Sequence, residues 1–304
     1  MSLAILSLGS NLGERHNNLK RALLELEKLG KIVNKSHTYE TKPYGVFDQP
    51  NFLNMAIGIE TELPPRKLLE KLKSIEKKLG RKETRRWGER IIDIDILFYD
   101  EIIVDEPGLK IPHPEIQYRE FVLKPLREIY PDFVHPTLKK PVRELFQKLP
   151  DIPLVASLEV QPGRFFFAVK EDKILRTSFF EIKGRMEMNP TILRLKDELK
   201  RYFDGEKMDF EGYKLEEGGL SAYARRVYNL LRRVRWGETI TYKKLAELSG
   251  KPDGQRAIGR LMATNPFPII VPCHRVIRTN GKIGGFGGGV EWKKFLLRLE
   301  GHNF

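Results

Sequence analysis

Two groups of side chains in this sequence have the types and spacing of reactive chemistry. One is the aspartate pair Asp93 and Asp95, and the other is the single cysteine, Cys273, followed directly by His274 and Arg275. In IIDIDILFY the aspartates are one residue apart, so on a strand their carboxylates leave one face while Ile92, Ile94 and Ile96 turn to the other. Adjacent carboxylates repel unless a cation lies between them. Hard oxygen ligands of this kind suit Mg²⁺, which keeps several waters and takes its other ligands from substrate phosphates. The same alternation also describes the polar outer face of an ordinary half-buried strand. Upstream, GRKETRRWGER sets Arg81, Arg85, Arg86 and Arg90 around Trp87 in a stretch that reads as a loop. Guanidinium groups closing over a polyphosphate stabilise the charge on its oxygens, the main task in phosphoryl transfer. No GxxxxGK[ST] loop occurs, which argues against a P-loop kinase.

A lone cysteine after an apolar run reads by itself as a small buried hydrophobe. Its setting, NPFPIIVPCHRVIRTNGKIGGFGGG, adds more. Pro272 ends an apolar strand just before Cys273, and a base and a cation follow it. A thiol is a poor nucleophile until deprotonated, and such neighbours lower the cost of the thiolate. Adjacent residues on an extended chain point apart, so His274 is expected to act through a water or a turn. Glu300 is the candidate to orient it. GGFGGG lacks the strand-turn-helix setting of a dinucleotide fingerprint. Metal-ligand spacing is absent around Cys273, so no cysteine-ligated zinc is expected.

The elements that must position these groups fall into two sets. The 304 residues suffice for two domains, and 40% apolar with 31% charged residues reads as globular rather than disordered. Pro150, Pro153 and Pro162 punctuate the middle, giving domains at 1–152 and 153–304, the second divided at 215/216. In the first, LAILSLG, KIVNKSHTYET, NFLNMAIGIETE and IIDIDILFY read as strands. Two amphipathic helices lie between them, one carrying Leu19, Leu23, Leu26 and Leu29, the other opened by Pro65. The order β-α-β-β-α-β predicts an α+β ferredoxin-like domain whose helices cover one face of an antiparallel sheet. In the second, RFFFAVKEDKILRTSFF reads as a hairpin within a small α/β subdomain. SAYARRVYNLLRRVRWG reads as a helix, and TITYKKLAELSG with QRAIGRLMATN as a winged helix-turn-helix pair joined by KPDG.

Charge divides unevenly among these segments. Residues 1–150 hold 26 Lys+Arg against 22 Asp+Glu, residues 151–220 hold 12 against 14, and residues 221–304 hold 16 against 5. The balances are +4, −2 and +11, so the last segment carries the footprint of a polyanion partner. The apolar runs are too short for a membrane span, and MSLAILSLGSNLGER reads as a first strand rather than a signal peptide. With one cysteine there is no internal disulfide, and the expected location is the cytoplasm.

Residues 1–150 resemble 6-hydroxymethyl-7,8-dihydropterin pyrophosphokinase of folate synthesis through LGSNLG, ETKPYG, DQPNFLN, GRxxxxRWGxR, IDIDIL and IPHP, in that order. The resemblance implies Mg²⁺-dependent transfer of a pyrophosphoryl group from ATP to a reduced pterin. By matching positions, Asp93 and Asp95 hold the metal, Arg81 and Arg90 serve the phosphates, and Trp87 helps to close the loop. Thr41 and Asn54 bond the pterin edge between Phe52 and Phe121, and Glu76, His113 and Arg119 line the ATP site. Phe52 stands where a tyrosine is common, and Pro114 follows His113 where an aromatic is frequent.

Residues 160–304 resemble O6-alkylguanine-DNA alkyltransferase, most strongly from Thr239 to Gly301, through PCHRV between a helix-turn-helix and a glycine-rich loop. The resemblance implies irreversible transfer of an alkyl group from guanine O6 in double-stranded DNA to Cys273. Arg256 fills the space left by the rotated nucleotide, and Tyr242 crowds the adjacent phosphate and donates a proton to the base. Asn265 supports the active-site turn, while Met262, Pro268 and Val276 line the pocket under the Gly284–Gly289 loop. Phe286 stands where the family has tyrosine. Two competing readings stay open from the residues alone: a second domain that senses lesions without chemistry, and a first domain that is a degenerate nucleotide-binding module.

Overall fold

The apolar run of SLAILSLGS forms β1 (Ser2–Ser10), whose side chains from Ala4 onward are all buried. A strand buried on both faces needs a layer on each side. The computed structural model, which describes residues 1–45, 48–82 and 88–303, supplies both layers. The chain divides into two compact units, Met1–Ile152 and Pro153–Phe304.

In the first unit β1 is followed by α1 (Arg15–Leu26), β2 (Lys31–Lys35), β3 (Tyr39–Thr41), β4 (Phe52–Thr61), α2 (Pro65–Lys78) and β5 (Asp93–Tyr99). A hairpin of β6 (Val104–Glu106) and β7 (Leu109–Ile111), then α3 (Glu120–Ile129) and α4 (Val142–Lys148), completes it. The antiparallel sheet runs β2-β4-β1-β5, with β3 also on β4. KIVNKSHTYET is thus two strands rather than one. Ser36 interrupts it, its hydroxyl accepting the Ala56 N–H at 2.9 Å. Ala4, Leu6 and Leu8 pack with Leu19 and Leu26 of α1 and Leu68 and Leu72 of α2. Ile5, Ala56 and Phe98 pack on the opposite side with Leu123 and Leu126 of α3 and Val142 of α4. The expectation of helices on one face only is therefore corrected: α3 and α4 cover part of the other.

What α3 and α4 leave open positions the first site. Gly9 pairs with Asn54 on one side and Asp93 on the other, and Ser7 pairs with Ala56 and Asp95. Strand alternation therefore brings Asn54, Gly9 and Asp93 into one row, with Ser7 and Asp95 in the next, all on the same face.

The second unit opens with β8 (Leu154–Val160), β9 (Gly163–Lys170) and β10 (Lys173–Ser178), then α5 (Pro190–Phe203) and β11 (Lys214–Leu215). The sheet order is β11-β10-β9-β8. Next come α6 (Ala222–Leu231), β12 (Ile240–Thr241), α7 (Tyr242–Leu248), α8 (Gln255–Ala263), β13 (Val276–Ile277) and α9 (Val290–Leu299). Asn189, Ser221 and Thr241 cap α5, α6 and α7 through side-chain oxygens. One core joins Phe165 and Phe167 of the sheet to Tyr202, Val227, Leu245, Ile258, Val271 and Leu296. The helix expected over 221–237 stops at Leu231, and the Val234 carbonyl is taken by the Arg275 guanidinium at 2.6 Å. Among the described residues no helix is long and apolar enough to cross a membrane.

Candidate active sites

A cavity of about 300 Å³ in the first unit is lined by Thr41, Phe52, Asn54, Arg90, Asp93, Asp95, His113, Arg119 and Phe121, with Gly9 and Tyr44. The structure thus gathers most of the residues singled out in sequence. Asn54 Nδ2 donates to Thr41 Oγ1 at 2.7 Å, fixing the amide. Gly9 is required beneath it, because a Cβ there would lie 2.8 Å from Asn54 Oδ1. Arg119 pairs with Glu115, and its guanidinium lies over the rings of Tyr44 and Phe121, at 5.4 and 5.7 Å. Glu76 is buried behind the strand and accepts the Ile94 N–H at 2.7 Å, with Lys73 at 3.0 Å and Arg81 at 2.5 Å. Trp87, Arg85 and Arg86 lie outside the described residues.

The electrostatics separate the two aspartates. Burial raises the cost of an Asp93 carboxylate, but Arg90 and Arg81, the latter at 2.6 Å, outweigh it and hold its pKa below the ordinary value. Asp95 is pushed up, first by burial and then by the Asp93 charge beside it, with Lys73 at 3.8 Å its one ion-pair partner among the described residues. Burial also raises Glu76 against the pull of Lys73. His113 falls to about 4 through burial and the nearby Arg119 charge, so it stays neutral near pH 7.

In the second unit Cys273 is 2% exposed and forms the floor of a pocket of about 400 Å³. Its backbone differs from the expected strand end. Residues 273–275 make a 3-10 turn, Ile269 has φ +74°, and only a Pro268–Val271 bridge precedes it. Prolines at 266, 268 and 272 deny the segment the N–H groups that a strand ladder needs. Asn265 holds this loop: its Nδ2 donates to the Val271 carbonyl at 2.9 Å and its Oδ1 accepts the Phe267 N–H at 3.0 Å.

His274 is fully buried, and its Nε2 lies 2.9 Å from Glu300 Oε1. The same carboxylate accepts from Tyr202 at 2.8 Å and from Arg275 twice, each at 2.9 Å. Arg275 also reaches Asp209 at 3.1 Å. Burial would raise the Glu300 pKa, yet His274 and Arg275 hold it well below the usual carboxylate range. A carboxylate at Nε2 fixes the tautomer with its proton there, leaving Nδ1 as the basic nitrogen. Nδ1 is buried and has no hydrogen-bond partner among the described residues. Burial pushes the Cys273 thiol up to about 11, although Asn265 and Lys293 pull it down. The resting group is therefore a thiol rather than a thiolate.

The pairing of β12 with β13, Ile240 to Val276 and Thr241 to Ile277, ties the first residue of α7, Tyr242, to the active-site turn. Tyr242, Lys243, Arg256, Arg278 and Gly284 line a shallow groove beside α7 and α8. Met262 and Val276 are buried, and Met262 lines the Cys273 pocket.

The first 150 residues have close counterparts. A family model for 7,8-dihydro-6-hydroxymethylpterin-pyrophosphokinase matches residues 5–131. The 2-amino-4-hydroxy-6-hydroxymethyldihydropteridine pyrophosphokinase of Aquifex aeolicus is 43% identical, over 47% of this chain and 90% of that protein. The chain belongs to the hydroxymethylpterin pyrophosphokinase family. Its counterpart in Haemophilus influenzae is 42% identical, over 50% of this chain and 95% of that protein. Beyond the pyrophosphokinase domain, a model for the 6-O-methylguanine DNA methyltransferase DNA-binding domain matches residues 222–302. A crystal structure of Mycobacterium tuberculosis OGT in complex with DNA is similar at 31% identity and a TM-score of 0.43, covering 48% of this chain and 92% of that one. The chain therefore carries a pyrophosphokinase domain, and its residues 222–302 match the model of a 6-O-methylguanine DNA methyltransferase DNA-binding domain.

Several groups in these sites were not picked out from sequence. In the pyrophosphokinase domain Tyr44 sits edge-on to Phe121 at 5.5 Å. In the second unit Lys293 is fully buried, donates to the Val276 carbonyl at 2.6 Å and is pushed down to about 8 by burial. Tyr202 joins Arg275, the cation already expected beside Cys273, in the network on Glu300, and Phe179 and Phe180 line the Cys273 pocket.

Proposed function

We propose that the chain is bifunctional: its first unit transfers pyrophosphate from ATP to 6-hydroxymethyl-7,8-dihydropterin, and its second transfers an alkyl group from guanine O6 in DNA to Cys273. The β2-β4-β1-β5 order with α1 and α2 on one face is read as ferredoxin-like. The pair α7–α8 with β12–β13 is read as a winged helix-turn-helix.

For the first activity the supporting observation is the row of Asn54, Gly9 and Asp93, with Asp95 beside it, in one cavity with Phe52 and Phe121. Thr41 and Asn54 bond the pterin edge while the two phenylalanine rings hold its faces. The hydroxymethyl oxygen attacks the β-phosphorus and gives up its proton to water, the bond to the α–β bridging oxygen breaks, and AMP leaves with that electron pair. Arg81 and Arg90, paired with Asp93 here, turn to the phosphates, and Trp87 closes over them. Glu76, His113 and Arg119 flank the nucleotide. The donor set fits Mg²⁺: two carboxylates on one face, one of them strained by its neighbour's charge. No group of three or more His, Cys, Asp or Glu placed to hold a metal ion occurs among the described residues. A pair suits an ion that keeps waters and substrate phosphates in its shell. Held by Asp93 and Asp95, Mg²⁺ supplies charge neutralisation on the phosphates.

For the second activity the supporting observation is the buried His274–Glu300 pair at the residue next to a buried Cys273. His274 Nδ1 takes the thiol proton through a water, and Glu300 stabilises the resulting imidazolium. The S–C bond forms as the C–O6 bond breaks, the electron pair leaves on guanine, and the ring ends up with the proton, assisted by Tyr242. The base must first be rotated out at a few kcal/mol, and Arg256 on α8 takes its place. The +11 balance over residues 221–304 supports a double-stranded DNA partner.

Incubation of the full chain with duplex DNA carrying O6-methylguanine, followed by mass spectrometry, places one methyl per chain on Cys273; an unmodified cysteine refutes the second reading. AMP formation that depends on both the hydroxymethyl pterin and Mg²⁺, and is lost in Asp95→Ala, tests the first.

A further inference from the structure

The pocket above Cys273 has a wall contributed from far upstream in the chain, at the end of β10. Thr177 donates its N–H to the Pro266 carbonyl at 2.9 Å and its hydroxyl to the Pro268 carbonyl at 2.7 Å. These bonds stitch the strand end to the loop that leads into Cys273. The next aromatic, Phe179, packs on Phe286 at 5.4 Å and Trp292 at 4.6 Å. A Cβ on Gly288 would come within 2.2 Å of the Phe179 ring, so the glycine-rich loop rests directly on it. The Phe180 N–H then donates to Ser178 Oγ at 2.9 Å. Its ring is 66% exposed while still lining the pocket. A large aromatic left in water at the mouth of a reactive pocket loses apolar surface to solvent until an occupant covers it.

We propose that Phe180 is a specificity-determining residue for the alkyl group, favouring large, flat, apolar substituents such as benzyl over methyl. The inference rests on the alkyl-acceptor reading of Cys273. The sulfur lies at the 2% exposed floor and Phe180 at the rim. A methyl group on the sulfur fills little of a pocket of about 400 Å³, whereas an aryl-methyl group occupies more of it and brings a flat apolar face toward the lining that includes Phe180. The chemistry is unchanged: the sulfur–carbon bond forms as the carbon–O6 bond breaks, the electron pair leaves on guanine, and the thiol proton ends on the guanine ring. Phe179 acts differently, as a support beneath the glycine loop.

The test uses the full chain and two duplexes of one sequence, carrying O6-methylguanine or O6-benzylguanine, with single-turnover rates read by intact-protein mass. Phe180→Ala lowers the benzyl-to-methyl rate ratio about tenfold, and Phe180→Trp, which keeps an aromatic face, retains it within about twofold. Because both rates come from one preparation, the ratio is insensitive to the fraction of folded protein. An unchanged ratio in Phe180→Ala, an equal fall in Phe180→Trp, or a wild-type chain that accepts methyl but not benzyl overturns the inference. A wild-type chain inert to both lesions instead removes the alkyl-acceptor reading, and this inference with it.

Discussion

Replacing Glu300 by Gln tests whether the network behind Cys273 is held by charge. The carboxylate is buried and accepts four hydrogen bonds, from Tyr202, His274 and twice from Arg275. Glutamine keeps one acceptor oxygen and turns an N–H₂ toward groups that are themselves donors. Arg275 keeps Asp209 at 3.1 Å and the Val234 carbonyl at 2.6 Å, so its charge is only partly stranded. Breaking a buried pair costs roughly 3–5 kcal/mol, and the remaining partners place this case near the lower end, about 3 kcal/mol. Losing Tyr202 alone, in Tyr202→Phe, costs about 1 kcal/mol, the worth of a single hydrogen bond. Hydrogen exchange at increasing urea, read on peptides covering α9 and residues 273–277, reports the opening of this unit separately from the first. A loss under about 1 kcal/mol at pH 7.5 for Glu300→Gln refutes the reasoning. The pH dependence follows from the sign of the shift. Glu300 has a depressed folded pKa against an ordinary value of 4.5, so its contribution is complete above 4.5 and declines as the pH falls below that value toward the folded pKa. Wild type is therefore the more acid-sensitive of the two below pH 4.5.

Three further outcomes are expected. With its thiol raised to about 11 from an ordinary 9.0, native Cys273 carries roughly a hundredfold less thiolate than the unfolded chain at pH 8. Iodoacetamide should label it at least tens of times faster in urea than in buffer, and equal rates contradict the burial argument. Gly9→Ala forces a Cβ to within 2.8 Å of Asn54 Oδ1, displacing the amide from Thr41. The KM for the pterin should rise about tenfold with a smaller change in kcat, and an unchanged KM separates Asn54 from pterin binding. Chelation with EDTA should abolish AMP formation while leaving methyl transfer to Cys273 intact, a contrast that loss in both assays would exclude.

The aspartate pair was legible because a strand's period of two converts D-x-D directly into one shared face, and β5 keeps that period through Ile96. The second helical layer was harder to see, yet a signal existed. LAIL at the start of β1 does not alternate, and a non-alternating strand is buried on both sides. The apolar segment before Cys273 misled in the opposite direction. Its composition is that of a strand, but prolines at 266, 268 and 272 leave too few N–H donors for a ladder, and the backbone turns through a positive φ at Ile269.

The groups around the sulfur divide by whether a local period reaches them. Lys293, Leu296, Leu297 and Glu300 stand at i, i+3, i+4 and i+7 and are all buried, so the helical period that turns Glu300 inward turns Lys293 inward as well, a signal the sequence holds for both. A lysine on such a face must find an acceptor and gives up part of its proton affinity, as the Val276 carbonyl and the value of about 8 show. Phe179 and Phe180 had no such guide. They end a strand almost a hundred residues before Cys273, and only the Thr177 bonds to the Pro266 and Pro268 carbonyls bring them to its pocket. Long-range backbone pairing of this kind leaves no periodic trace in either partner. The groups that the proposed acceptor chemistry uses around Cys273 are therefore written locally in the sequence, while the Phe179–Phe180 wall of its pocket is brought there by a contact that only the fold creates.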